Sequence, residues 1–147
     1  MVAIRKAEYS DVEILREMEE ELFHPPYQKT DLEYFIGENS FTRALILQDE
    51  KEVVGFGLLW LLFEQAEIVQ IGIRKKYQSQ GYGKKLLEYM LALARRAGCE
   101  NVTLEVRVSN NKARDFYHKF GFIQLATRAN YYQQPAEDAL LLGRGLL

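Results

Sequence analysis

Apolar positions follow two rhythms along the chain, and the change falls near residue 81. Residues 2–7 are short and β-prone. Ser10-Asp11-Val12-Glu13 reads as a capping box, with the acid three positions after the serine. Ile14, Leu15, Met18 and Leu22 follow at helical spacing. Pro25-Pro26 stops that helix, because a residue before proline is pushed out of the helical region. Thr30-Asp31 opens a shorter helix through Leu32, Tyr34, Phe35 and Ile36. Strands are predicted over 41–48 and 53–63, paired as a hairpin about the polar turn Asp49-Glu50-Lys51. A further strand runs over 66–73, after the break at Glu64-Gln65.

From Gly81 the period is helical: Leu86, Leu87, Met90, Leu91 and Leu93 form one apolar face, ended at Ala97-Gly98. A strand over 102–106 follows. Ser109-Asn110-Asn111 caps a helix through Ala113, Phe116, Tyr117 and Phe120, which Gly121 ends. Two closing strands are predicted over 122–128 and 139–142, with Tyr131 and Tyr132 in the loop between them. The order is β-α-α-β-β-β-α-β-α-β-β. A meander followed by alternation predicts an α/β fold, a mixed sheet with helices on both faces. No linker, repeat or low-complexity stretch interrupts residues 1–147, so one domain is expected.

Composition narrows the function classes. The chain has 147 residues, 48% hydrophobic and 27% charged, which suits one globular core rather than disorder. A net charge of -2 argues against a protein that lives on phosphate contacts with nucleic acid. Cys99 is the only cysteine, which excludes an internal disulfide and fits a reducing compartment. The N-terminus reaches Arg5-Lys6 too early for a secretory signal, and the apolar run over 56–63 is too short for a membrane helix. A cytoplasmic protein without membrane contact is expected.

The chemistry concentrates in Gln78-Ser79-Gln80-Gly81-Tyr82-Gly83, between a strand and a helix. Two glycines at a helix start let backbone N–H groups approach an anion, and the helix N-terminus adds partial positive charge. Arg74, Lys75 and Lys76 lie just upstream. A tight turn alone would also use two glycines. The first glycine of G-x-G-x-x-G is missing, and so is the P-loop spacer before Lys84. Metal-site spacing is absent, and Cys99 has no recognisable base partner.

Gln78, Gly81 and Gly83 match Gln/Arg-x-x-Gly-x-Gly/Ala, and here the sequence resembles the GNAT superfamily of N-acetyltransferases. Leu104-Glu105-Val106-Arg107-x-Ser109-Asn110, Phe116-Tyr117, Phe120-Gly121-Phe122, Arg128-x-Asn130-Tyr131-Tyr132 and Glu137-Asp138-Ala139 resemble the bacterial ribosomal-protein-alanine N-acetyltransferases. The resemblance spans nearly the whole chain and is dense from Tyr77 onward.

The resemblance implies acetyl-CoA as co-substrate, no metal, direct attack by an amine, and a protein N-terminus as acceptor, favouring the N-terminal alanine of a small-subunit ribosomal protein. It assigns the pyrophosphate to Gln78, Ser79, Gln80, Gly81, Tyr82, Gly83 and Lys84. Backbone groups of Ile71, Gly72 and Ile73 would hold the pantetheine, with Gly72 leaving room for it and Asn110 nearby. Glu105 would be the base and Tyr117 the acid. Pro25, Tyr27, Tyr131 and Tyr132 would wall the acceptor pocket. Each residue also has a plainer reading: Glu105 as a solvent-facing strand residue, Tyr117 as a core tyrosine, Asn110 as a helix cap. Relatives often carry His-Pro-Trp where this chain has His24-Pro25-Pro26-Tyr27, which implies a relaxed first-residue preference. Glu17, Glu19, Glu20 and Glu21 read as a solvated helix face. Two alternatives stay open: acetylation of a small amine or polyamine, and a CoA-binding regulator without turnover.

Overall fold

The computed structural model describes residues 1–37 and 39–147. The elements are β1 (Val2–Lys6), α1 (Val12–Leu22), α2 (Lys29–Ile36), β2 (Thr42–Asp49), β3 (Glu52–Leu62), β4 (Gln65–Ile73), α3 (Tyr82–Arg96), β5 (Asn101–Arg107), α4 (Asn111–Lys119), β6 (Ile123–Gln133) and β7 (Ala136–Gly145). Their order is the one the hydrophobic periods predict. The strands form one seven-stranded sheet in the spatial order β1-β2-β3-β4-β5-β7-β6. Among the described residues only β4 and β5 pair in parallel.

Two apolar clusters cover the two faces. Leu86, Leu87, Met90, Leu91 and Ala94 of α3 join Tyr117 of α4 against Val102, Leu104 and Val106 of β5. On the other face Val12, Leu15 and Met18 of α1 join Leu32, Phe35 and Ile36 of α2 against Ile46, Phe56 and Leu58. Strand alternation therefore turns Glu105 away from the α3 cluster, as its position between Leu104 and Val106 requires.

Four local expectations are corrected. Asp11 closes a capping box with Glu8 instead of Ser10 closing one with Glu13. The Arg5 guanidinium grips both Asp11 oxygens at 2.8 and 2.9 Å, which fixes that carboxylate beside the chain start. The second helix begins at Lys29, capped by a Gln28–Asp31 box, rather than at Thr30-Asp31. Tyr131 and Tyr132 belong to β6 and not to a loop: β6 and β7 form a long hairpin in which Tyr132 pairs with Glu137, with a register shift between Arg128 and Tyr132. The acidic face of α1 is not solvated as a whole. Glu19 is 0% exposed, Glu17 pairs with Arg74 at 3.2 Å, and Glu21 accepts from the Lys75 N–H at 2.7 Å.

One irregularity positions the site. Leu58 pairs with Gln70 and Leu59 with Ile68, so Val69 is an extra residue bulged from β4. Ala66 and Ile68 before the bulge, and Ile71 and Ile73 after it, pack on the α3 side. Val69 packs on the α1 side, and Gln70 reaches Glu19 there. The end of β4 is held against β3 with no space to spare. A Cβ on Gly55 would lie 2.5 Å from the Gly72 carbonyl oxygen and 2.6 Å from Ile73 Cδ1. Gly55→Ala should therefore cost about 1–3 kcal/mol of stability by overpacking. Urea unfolding checks this, and an unchanged midpoint would mean that the two strands part freely.

Candidate active site

The parallel ladder between β4 and β5 is three pairs long: Gln65–Asn101, Ala66–Val102 and Glu67–Thr103. Among the described residues the two strands share no pair beyond Glu67. The bulge at Val69 falls where the ladder ends, and from there the strands diverge. An open strand edge leaves N–H and C=O groups that need partners. A ligand carrying amide groups can supply them along residues 68–73. Ile71 and Ile73 lie on this edge. The Ile73 carbonyl already accepts from Gln78 Nε2 at 2.9 Å. Gln78 thus ties the glycine turn back to the strand. Gly72 is glycine for a reason other than ligand room: a Cβ there would meet Phe56, Leu22 and Phe23 at 2.8, 2.9 and 3.3 Å.

The turn carries the strain its glycine relieves. Gly81 is the N-cap of α3 with φ 89°, and a Cβ there would meet nothing within 4 Å. The glycine is required by the left-handed backbone, and the space beside it is open. The first N–H groups of α3, on Tyr82, Gly83 and Lys84, have no partner within the helix. They and the helix dipole make an anion site. Ser79 and Gln80 are exposed beside it, and the Lys84 side chain is exposed too. The Tyr82 hydroxyl donates to Asp49 at 2.7 Å, so that residue offers its backbone and not its side chain. Arg74 is spent on Glu17, which leaves Lys75 and Lys76 as the free cations upstream among the described residues.

Glu105 stands on β5 beyond the last parallel pair. Its side chain is 12% exposed and pairs with Arg128 Nε of β6 at 3.4 Å. Burial pushes its carboxyl above the usual range, and the Arg128 charge pulls it part of the way back. Glu67 of β4 is raised by burial and then by the Glu105 charge, so the two carboxylates feel one another across the cleft. Tyr131 is raised by burial and then by Glu105 and Glu67. Tyr132 is pushed up to about 12, by burial first and then by Tyr131 and Glu105. The Tyr117 phenol, buried in α4, is held well above the usual tyrosine range by burial and next by Tyr132. Glu105, Tyr131 and Tyr132 therefore lie near one another, and Tyr132 is the member that reaches Tyr117. Asn110 caps α4, its side chain accepting from the Ala113 N–H at 3.1 Å.

Two loops face each other over this group, and Arg107 joins them. One of its guanidinium nitrogens donates to the His24 carbonyl at 3.1 Å and to the Gln134 carbonyl at 3.2 Å; the other reaches the Pro135 carbonyl at 2.8 Å and Glu137 at 3.3 Å. The guanidinium also lies 4.3 Å from the centre of the Tyr132 ring. Pro25 sits beside the anchored His24. Tyr27, further along that loop, joins Tyr34, Phe35 and Trp60 around a cavity of about 310 Å³. Among the described residues no three His, Cys, Asp or Glu side chains gather as a metal site. Among the same residues no helix is long and apolar enough to cross a membrane.

The chain has relatives of known class. The Acetyltransferase (GNAT) family pattern matches residues 12–122. The chain belongs to the GNAT acetyltransferase family. A Haemophilus influenzae relative named ribosomal protein bS18-alanine N-acetyltransferase is 32% identical over 145 residues, covering 97% of each chain. The crystal structure of the ribosomal-protein-S18-alanine N-acetyltransferase from Escherichia coli superposes with a TM-score of 0.90 at 24% identity, over 99% of this chain and 94% of that one. Arabidopsis thaliana NAA60 in complex with acetyl-CoA superposes with a TM-score of 0.87 at 16% identity, over 99% of both chains. The protein is an acetyl-CoA-dependent N-acetyltransferase.

Within this GNAT fold the structure adds residues that periodicity alone does not single out. Arg107 shares the face of Glu105 two positions earlier, a spacing that marks it in retrospect. Arg128 and Glu67 owe their importance to cross-strand neighbours that only the sheet order reveals. Arg107→Ala would release both loops at once while leaving the glycine turn intact. We expect the acceptor KM to rise about tenfold or more with CoA affinity unchanged, as loss of a charged hydrogen-bonding hub implies. Steady-state kinetics with calorimetry for CoA checks this; an unchanged acceptor KM would separate the loops from acceptor binding.

Proposed function

We propose that the chain acetylates the α-amine of a protein N-terminus, with the N-terminal alanine of a small-subunit ribosomal protein as its target in the cytoplasm, and that residues 1–147 act as one domain. The observation that carries this reading is the position of Glu105, 12% exposed, near enough to Tyr131 and Tyr132 for its charge to act on both, with Arg107 two positions along the same strand face anchoring the two loops. The named relative from Haemophilus influenzae supports the same class of acceptor.

In this reading the pantetheine lies along the free edge at Ile71, Gly72 and Ile73, near Asn110. The pyrophosphate sits on the turn Gln78, Ser79, Gln80, Gly81, Tyr82, Gly83 and Lys84. The neutral amine attacks the thioester carbonyl, sheds a proton to Glu105 through water, and expels the CoA thiolate. An α-amine with pKa about 7.8 is neutral roughly 400 times more often at pH 7 than a lysine amine at about 10.4. A weakly basic carboxylate therefore suffices for an N-terminus and serves lysine poorly. Tyr117 stays protonated at neutral pH because burial raises it far above a thiol's value of about 8.5. As the acid it acts first through a hydrogen bond to the leaving sulfur, which stabilises the developing thiolate charge, and the thiolate takes up its proton from solvent on release. Pro25, Tyr27, Tyr131 and Tyr132 wall the acceptor. Tyrosine walls favour a small first side chain, though one methylene is worth only about 1–3 kcal/mol. Later peptide residues must add selectivity, and the cavity beside Tyr27 and Trp60, lined by aromatic rings and by Thr30 and Asp31, offers a place for one of them.

The test is a matched set of kcat/KM values for an Ala-starting ribosomal peptide, the same peptide blocked at its N-terminus with an internal lysine, and spermidine. The α-amine peptide should lead by about 10² or more. A lead for spermidine or the blocked peptide would replace this reading with a small-amine or lysine acetyltransferase.

A further inference from the structure

Glu19 is a buried carboxylate that the transfer chemistry does not use. It is 0% exposed, on the inner face of α1. Its Oε1 accepts twice, from the Tyr27 backbone N–H at 2.8 Å and from Gln70 Nε2 at 3.2 Å. Tyr27 belongs to the loop over the acceptor side, and Gln70 sits directly after the bulge in β4. Glu19 is thus the point where that loop meets the strand bordering the cofactor cleft.

The remaining atom of each partner is anomalous. Glu19 Oε2 and Gln70 Oε1 are both buried, and neither has a hydrogen-bond partner. Two acceptors are left over in one hydrogen-bonded pair, where buried polar groups are as a rule matched; among the described residues Arg74 Nε is the other buried side-chain atom without a partner. The charges acting on Glu19 come from Asp31 of α2 and Glu20 of its own helix, and both disfavour ionisation. The Tyr27 phenol also faces it, β3 contributes apolar Phe56 and Leu58, and β4 contributes Gln70. Among the described residues no cation balances it. A buried carboxylate in such surroundings takes up a proton rather than stay charged. One proton corrects the whole arrangement. On Oε2 it makes a donor, and Gln70 Oε1 is the acceptor left in the same pair. Acid and carboxamide then join by two parallel hydrogen bonds, and Oε1 still receives Tyr27.

We propose that Glu19 is a positioning residue that works as a neutral acid, paired with the Gln70 carboxamide, to pin the Tyr27 loop onto the strand beside the cofactor cleft. The inference rests on the reading of that loop as an acceptor wall. Burial raises the Glu19 carboxyl from its ordinary 4.5 to about 7, against the two hydrogen bonds that lower it. A raised folded-state pKa means that the stabilisation is complete below about pH 4.5 and is lost as pH rises through about 7. The loop should therefore loosen on the alkaline side of neutrality.

Glu19→Gln tests this, because it keeps the shape, cannot ionise, and offers Nε2–H to Gln70 Oε1. Urea unfolding of the full chain is compared for wild type and E19Q from pH 5 to 8. The ratio of the wild-type to the E19Q unfolding constant should climb by about 50- to 100-fold over that range. A flat ratio would mean that Glu19 has the same charge folded and unfolded, and the proposal falls. The second arm is the acceptor KM over pH 6 to 8.5, taken as the ratio of wild type to E19Q so that ionisation of the amine cancels. That ratio should rise about three- to tenfold with pH while kcat and CoA affinity keep theirs. A constant KM ratio would overturn the positioning role even if the unfolding arm succeeds. Gln70→Ala should raise the acceptor KM in the same direction, and an unaffected KM there would also count against the pair. The unfolding arm needs no acceptor, so a failure of the α-amine reading stays distinguishable. The KM arm then runs on whichever amine is turned over.

Discussion

Two parallel strands that pair for three residues and then separate set the terms for everything else in this molecule. A sheet normally satisfies its backbone by continuing the ladder. Here the β4–β5 ladder stops at Glu67 and Thr103, with α3 and α4 packed on one face of the sheet and α1 and α2 on the other. The bulge at Val69 lies where the ladder ends, and it reverses which face the following β4 residues occupy. The free strand edge, the glycine turn and the buried acid on β5 all border the same gap. Its opening follows from backbone geometry, and the side chains around it only decide what enters.

The two sides of the gap are built differently. On the side proposed for the cofactor the backbone would do the recognising: a left-handed Gly81, the first N–H groups of α3, and Gln78 holding the turn against Ile73. On the acceptor side side chains hold the loops. Arg107 binds carbonyls from both loops, and Glu19 binds the backbone N–H of Tyr27 from beneath. Both anchors are ionisable groups taken at least partly out of water. A guanidinium keeps its charge and satisfies several carbonyls, whereas a lone buried carboxylate is stable there only with a proton.

Much of the architecture was legible from periodicity. Helical and strand rhythms, the proline stop at 25–26 and the glycines at 81, 98 and 121 suffice for the order of elements. The family resemblance named Glu105, Tyr117, Tyr131 and Tyr132; in the structure Tyr131 and Tyr132 lie near Glu105, and Tyr132 lies near Tyr117. Other features were hidden for physical reasons. A period of two predicts a strand but cannot predict a bulge, so the facing of Gln70 and Gly72 was not readable. Tyr131 and Tyr132 looked like loop residues because β6 is exposed and carries no alternation to mark it. Glu19 was grouped with its acidic neighbours, although it lies four positions after Leu15 and three before Leu22, on the buried stripe. At residue 19 position on the helix, not charge, decides burial.

Backbone amide exchange with and without CoA tests the central claim most directly, because it reads the free edge of β4 itself. If the gap and the turn together hold the cofactor, CoA should slow exchange at Ile71 and Ile73 and at Tyr82, Gly83 and Lys84, with little change along β1 and β2. Protection confined to other segments, or none at the β4 edge while CoA is bound, would contradict the account.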